Sequence, residues 1–465
     1  MLLPYYSHSI FLFWLIRLYQ KTHLPACPVF GGHLNVIGKG GAVNFIGLSP
    51  SLITLDLSGN QIELNVVNFT NFPSLVTLDL SNNIIGKGEF VNFIGLSPSL
   101  AILDLSDNQI NLNVVNFTNF PSLITLDLSG NGFGSNGEAV ILTDLPSSLH
   151  TLIFGGNIVG LNFNFTGLPP SLHTLDLSPF SQQVYQNSVN FTFMGLPSSL
   201  HTLIFGGNIV GLNFNFAGLP SSLHTLDLSS SRLQEYQWFF NFTFTGLPFY
   251  LHTLNFSNSW LGCSAKASTH PCYPETYYCQ YSSPVIFNGF PPFLRVLDLS
   301  NNYIGLNQDV NFTWVPSSLY NLDLSNNWIG CSYQEGGCNG NPCGSTFPVV
   351  LSWFSLSLQT LDLSDNFISE GIINLIPFPS LTTLDLSNSE IGYSTEEAIF
   401  SLSKSLLTMI NLSSIDISNG YIGLTGPAGT AAIFAALESL PHFDFGNFNG
   451  ISDITNVTWT NGSLR

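Results

Sequence analysis

The sequence predicts a solenoid of stacked turns, with a parallel β-sheet along one side and mostly irregular return segments. Three observations predict it: one segment recurs in register, its leucines alternate with strand period, and the stretches between copies are short and rich in Gly, Pro and Asn. SLITLDLSGNQI (51–62) returns as SLVTLDLSNNII (74–85), SLAILDLSDNQI (99–110) and SLITLDLSGNGF (122–133). It returns again as FLRVLDLSNNYI (293–304), SLYNLDLSNNWI (318–329), SLQTLDLSDNFI (357–368) and SLTTLDLSNSEI (380–391), with the shorter SLHTLDLS at 171–178 and 222–229. Looser copies begin near Leu149, Leu200, Leu251, Leu412 and Leu440. Together they make about fifteen turns, and self-similarity at such a period is the signature of a repeat architecture.

Within one copy, Leu55 and Leu57 lie two apart and point into the core, while Thr54, Asp56 and Ser58 point the other way. Asn60 is expected to turn inward, where its amide can bond the backbone of neighbouring turns and satisfy groups that a bent chain leaves open. Phe69 and its equivalents refill the core on the return path. One turn cannot bury its own apolar face, so turns must stack. The returns leave little room for helices, except at 427–440 (PAGTAAIFAALESL).

The LxxLDLSxNxI pattern resembles the leucine-rich-repeat family over roughly residues 30–450. The LDLSxN form is similar to extracellular plant and protist subtypes, and LPSSLHTLIFGGN (145–157 and 196–208) resembles the FNIP-type repeats of amoebae. The resemblance implies a leucine-rich-repeat solenoid, its curved parallel β-sheet on the concave side. It also implies binding or scaffolding, rarely catalysis. The organisation expected is a signal peptide or N-terminal extension over 1–29, a solenoid over 30–450 and a C-terminal tail over 451–465. Longer periods overlie the turns: 44–91 and 92–139 are close copies, as are 145–195 and 196–246, so the unit of duplication is two turns.

Of the 465 residues 45% are hydrophobic, 13% aromatic and only 8% charged, against about 25% charged in ordinary chains. Glycan or burial in an assembly must supply the missing polar surface. A formal charge of −19 with 9 Lys+Arg excludes nucleic acid, whose phosphates need a basic face, and disfavours anionic lipid. The apolar run Ile10–Ile16 is too short to span a bilayer; it suits a signal peptide, with Ala26 and Cys27 near a cleavage region, or a retained extension. No later stretch is expected to span a membrane, and no hydrophobic C-terminal tail signals an anchor. The expected location is secreted or extracellular.

The outward face is monotonous. Its carboxylates, Asp56, Asp79, Asp104, Asp127, Asp176, Asp227, Asp298, Asp323, Asp362 and Asp385, lie between Thr and Ser at most copies. That constancy suits a repetitive ligand, a repeating subunit contact or no ligand. Strands about 4.8 Å apart stack these like charges, which destabilises a sheet and raises carboxyl pKa values. Solvation by the hydroxyls and water is the plainer reading; weak divalent-cation binding along the row is the sharper one. No EF-hand spacing is present. His150, His173, His201, His224 and His252 recur in SLHT and read as a surface ladder rather than a metal site.

N-x-S/T acceptors occur at Asn68, Asn116, Asn164, Asn190, Asn241, Asn255, Asn311, Asn411, Asn456 and Asn461, and are placed on the return face; N-linked glycans are expected. Asn-Phe without the sequon, at Asn44, Asn92 and Asn215, leaves a packing role open. Two insertions, 261–290 and 329–350, carry Cys263, Cys272 and Cys279, and Cys331, Cys338 and Cys343. They leave the same edge two turns apart, about 10 Å, close enough to touch. Disulfides are expected, one within each loop and one between, with Cys27 left over, although the pairing stays open. No CxxC supports zinc. No GxSxG, HExxH, Walker loop or GxGxxG is present, and Ser401–Lys404 matches SxxK alone. No catalytic residue, metal or cofactor is assigned. Two functions remain: a structural or adhesive glycoprotein that assembles with itself into a fibre, wall or coat, or a secreted recognition protein for an extracellular protein or glycan ligand.

Overall fold

The computed structural model describes residues 29–31, 49–62, 66–68, 72–86, 92–110, 117, 120–133, 145–157, 167–178, 193, 195–206, 216, 218–229, 244, 246–259, 261–267, 278–282, 285, 289–306, 315–333, 343–346, 356–367, 378–389, 406, 409, 411–416, 435, 436, 438, 439, 448, 449, 459, 460, 463 and 464. These belong to two compact units, 1–183 with 194–203, and 184–193 with 204–465. Each is a parallel β-solenoid.

In the first unit, three-residue strands stack in register: Val29–Gly31, Thr54–Asp56, Thr77–Asp79, Ile102–Asp104, Thr125–Asp127, Thr151–Ile153 and Thr174–Asp176. In the second, Thr225–Asp227, Thr253–Asn255, Val296–Asp298, Asn321–Asp323, Thr360–Asp362, Thr383–Asp385, Ser414–Asp416 and Phe448–Asn449 do the same. Like pairs with like, Thr54 with Thr77, Leu55 with Leu78 and Asp56 with Asp79. The middle leucine of each such triplet is buried while its neighbours are partly exposed, as the alternation predicts; Leu55 and Leu78 are 0% exposed. Each leucine so buried contributes about 1.5–3 kcal/mol, and the strands are too short to hold together without that stack.

Asn60, Asn83, Asn108 and Asn131 are buried as a ladder. Asn83 Nδ2 donates to Leu57 O of the preceding turn and to Leu80 O of its own. Its Oδ1 accepts from the backbone N–H of Asn60 and Ile62, at 3.0 and 2.9 Å. Each side chain therefore satisfies the corners of two turns. Ser259 and Ser389 take the same place in two turns, their hydroxyls donating to Leu228 O and Leu363 O.

The residue before each ladder position has positive φ: Gly59, Asn82, Asp107, Gly130, Gly156, Asn258, Asn301, Asn326, Asp365 and Asn388. The variable position of SxN is therefore restricted to Gly, Asn and Asp, the residues that tolerate the left-handed corner.

A second polar row precedes the strand. The serine before the core leucine donates its hydroxyl to the preceding turn: Ser148 to Leu123 O, Ser171 to Leu149 O, Ser199 to Leu172 O and Ser318 to Leu294 O.

The return segments differ from expectation in places. Val66–Asn68 pairs in parallel with Asn92–Ile94. Phe117 is buried as expected of the Asn-Phe pair, but Phe72 and Phe120, at the end of the return, are buried more deeply. Both cysteine insertions are antiparallel hairpins, Cys263–Ala267 with Tyr278–Ser282 and Cys331–Tyr333 with Cys343–Thr346. The first described strand, Val29–Gly31, pairs in parallel with Thr54–Asp56. The tail carries a short hairpin, Trp459–Thr460 with Ser463–Leu464. Ala435, Ala436 and Glu438 are helical, inside the expected 427–440. Among the described residues no helix is long and apolar enough to cross a membrane.

Candidate functional site

The most regular surface is the outward side of the sheet. Where a strand ends in aspartate, the carboxylate folds back on the serine two residues later. Asp104 Oδ1 accepts from the Ser106 N–H at 2.9 Å and from its hydroxyl at 2.6 Å. Asp127 is bonded the same way to Ser129, and Asp323 to Ser325. These aspartates are thus turn-forming groups as well as surface charges, which accounts for the Asp-x-Ser pairing.

Register brings Asp56, Asp79, Asp104 and Asp127 side by side, and Ile153 then separates Asp127 from Asp176. In the second unit Asp227 meets Asn255, then Asp298, Asp323, Asp362, Asp385 and Asp416 follow. Asp416 was hidden in sequence by its looser copy, SSIDIS. Burial raises the pKa values of Asp127, Asp323 and Asp385; the Ser129, Ser325 and Ser387 hydrogen bonds oppose the rise, and neighbouring aspartates add to it. Among the described residues no three His, Cys, Asp or Glu side chains are placed to hold a metal ion.

The described histidines of the first unit form a stack. The rings of His150 and His173, and of His173 and His201, lie 5.0 Å apart at 8° and 9°. Each Nδ1 sits 2.6–2.7 Å from the carbonyl two residues earlier, on Ser148, Ser171 and Ser199. A carbonyl only accepts, so each Nδ1 carries its proton and the tautomer is fixed. In the second unit His224 and His252 are 4.9 Å apart and tilted. Burial, then the Arg295 charge, then His224, lower the His252 pKa.

The sequons are not all where the sequence reading put them. Asn255 lies in the aspartate row, not on a return segment: its Oδ1 accepts from Ser257 N and its Nδ2 donates to Asp227 Oδ2 at 3.3 Å. It resembles Asp in forming the strand-end turn, and so falls in that row. Asn411 is exposed in the turn before a strand, donating to Pro379 O. Asn68 ends the return strand Val66–Asn68. Asn116, Asn164, Asn190, Asn241, Asn311, Asn456 and Asn461 lie outside the described residues, as do Cys27, Cys272, Cys338 and the Ser401–Lys404 motif.

Cys263 and Cys331 are buried and disulfide-bonded. With Leu306 they form one cluster, packed by Tyr303, Trp328 and Phe367, so the roots of the two insertions meet as their phase predicts. Burial pushes the Tyr303 phenol up to about 12.

Family models for leucine-rich repeats match residues 50–87, 121–137 and 357–378. Comparison with curated protein sequences gives no match. Among solved structures, the chain is similar to YopM from Yersinia enterocolitica (19% identity, 85% of this chain and 74% of that one, TM-score 0.39). It is similar to an internalin from Listeria monocytogenes (15% identity, 84% and 85%, TM-score 0.41). A leucine-rich-repeat protein of Leptospira interrogans gives 20% identity, 85% and 78%, and a TM-score of 0.39.

Proposed function

We propose that this chain, which carries leucine-rich repeats, is a non-enzymatic extracellular glycoprotein with a structural or adhesive role, assembling with copies of itself. The observation that carries this reading is the constancy of the outward face. Thr, Asp and Ser recur at the same three positions of the repeat, with Thr54, Thr77, Thr125 and Thr174 in the first unit and Thr225, Thr360 and Thr383 in the second, each followed two residues later by its aspartate. A surface that reads one irregular ligand needs side chains that differ from strand to strand; a lattice contact needs the same ones. The 8% charge supports N-linked glycans as the remaining polar cover, and the disulfide bonding of Cys263 and Cys331 suits an oxidising compartment.

The test is negative-stain electron microscopy with light scattering on protein secreted from a eukaryotic host. Filaments or regular stacks are expected. A monodisperse monomer at high concentration would overturn self-assembly.

The second reading is recognition of an extracellular protein. It is favoured by one observation: in the second unit the residues beside the sheet depart from the repeat and become aromatic and basic, at Phe249, Tyr250, Phe293 and Arg295.

A further inference from the structure

Eight large hydrophobic side chains are exposed among the described residues, and four of them are aromatic: Phe249 at 55%, Tyr250 at 52%, Phe293 at 42% and Tyr320 at 40%. Three form one cluster. Phe249 meets Tyr250 and Phe293 edge-on, with ring centroids 5.1 and 5.3 Å away, and Tyr250 stacks on Phe293 at 5.6 Å and 21°. All belong to the second unit. Backbone bonds fix the layout: Arg295 N donates to His252 O and Tyr320 N to Arg295 O. His252, Arg295 and Tyr320 therefore run in one row across three turns, with Tyr250 and Phe293 two residues before the first two.

These rings are not there for the fold. Tyr250 and Phe293 hold the position just before a core leucine, Leu251 and Leu294, where the other described turns carry serine or, at Leu412, Asn411. The serine hydroxyl bonds the preceding turn, as Ser199 and Ser318 do. Two consecutive turns forgo that bond and hold apolar rings in water instead. Beside them stands Arg295, one of only 9 basic residues in a chain of charge −19, close enough to depress His252. Aromatic residues and arginine are the side chains that dominate binding energy at protein interfaces. A guanidinium among them selects a carboxylate, because burying it against an uncharged partner leaves it unpaired.

We propose that Phe249, Tyr250, His252, Phe293, Arg295 and Tyr320 form a docking site for an acidic peptide segment of another protein, one that sets an apolar side chain on the rings and a carboxylate on Arg295. This rests on the recognition reading above and gives it a place and a partner chemistry.

The experiment is selection of a random-peptide phage library on the full glycosylated chain, followed by binding of the selected peptides to Tyr250→Ser, Phe293→Ser and Arg295→Glu variants. The serine variants restore the residue of the other turns, so they are expected to melt at or above the wild-type temperature, which separates lost binding from lost folding. Expected are peptides combining Asp or Glu with Leu, Phe or Trp, bound at least tenfold more weakly by each variant. Peptides without acidic residues, peptides that bind the variants equally, or no selected peptide at all would overturn the site. The second of these would leave protein recognition standing elsewhere on the chain. Self-association abolished by Tyr250→Ser, or binding of phosphatidylcholine vesicles or neutral oligosaccharides in place of peptides, would assign the patch to a different occupant and equally overturn the proposal.

Discussion

Replacing Asn83 by alanine tests the asparagine ladder at one rung. The side chain is 6% exposed and has partners in two turns. Its loss strands the N–H groups of Asn60 and Ile62, which now bond Asn83 Oδ1 at 3.0 and 2.9 Å, and removes a donor from Leu57 O and Leu80 O. Each stranded donor costs about 1–3 kcal/mol in a buried setting. The carbonyls lose less, since Leu57 O also accepts from Asn60 Nδ2. The expected destabilisation is about 2–5 kcal/mol. Asn83→Ser should cost less, because Ser389 at the equivalent place still donates to Leu363 O and lies 3.4 Å from the Asn366 N–H. Urea unfolding measures the total, and amide hydrogen exchange locates it, with the Asn60 and Ile62 amides expected to lose most protection. An unchanged midpoint for Asn83→Ala, with those two amides still protected, would refute the reasoning and leave the leucine core and the strand hydrogen bonds to couple the turns.

Three further outcomes follow from the geometry. Gly206→Ser restores the repeat consensus yet should destabilise, because a Cβ added there would overlap Ser229 O; thermal melting reads the drop. Asp127→Asn keeps an Oδ1 acceptor for Ser129 N, as Asn255 does for Ser257 N, and removes a charge whose pKa is raised in the fold. A carboxyl with raised folded pKa binds protons more tightly in the native state, so its penalty is absent below the unfolded pKa, about 3.9, and grows as pH rises past it. The variant should therefore melt at or above the wild-type temperature at pH 7 and match it at pH 3.5; a lower melting temperature at pH 7 would contradict this. Glycopeptide mass spectrometry of secreted protein should find glycan at the exposed Asn411 but not at Asn255, whose amide is half-buried and bonded within the sheet.

The leucine alternation and the inward asparagine were legible because each obeys one rule repeated many times, and a period of two residues fixes which side of the strand faces the core. The positive-φ corner was equally visible, since Gly, Asn and Asp alone fill the SxN gap in the described turns with that ladder, but a variable letter in a motif invites no question until its backbone is seen. Asn255 was misplaced because a sequon is defined by three letters and its surroundings by the register of the strand. The aromatic cluster was illegible for another reason: Phe249, Tyr250 and Phe293 are separated by up to 44 positions and meet only because an insertion is looped out between two adjacent strands. The returns, where spacing varies, carry the pairing of Val66–Asn68 with Asn92–Ile94, which no alternation announces.

Where neighbouring turns pair through the same atoms, as Thr54, Leu55 and Asp56 do with Thr77, Leu78 and Asp79 and the Asn83 amide does with the corner at Asn60, their junctions are interchangeable. A duplicated stretch of whole turns arrives with both of its contact surfaces already matched to whatever stands on either side. The length of such a chain is then a number that copying alone can change, with no new interface to invent, and the near-identity of 44–91 and 92–139 is what that freedom leaves behind.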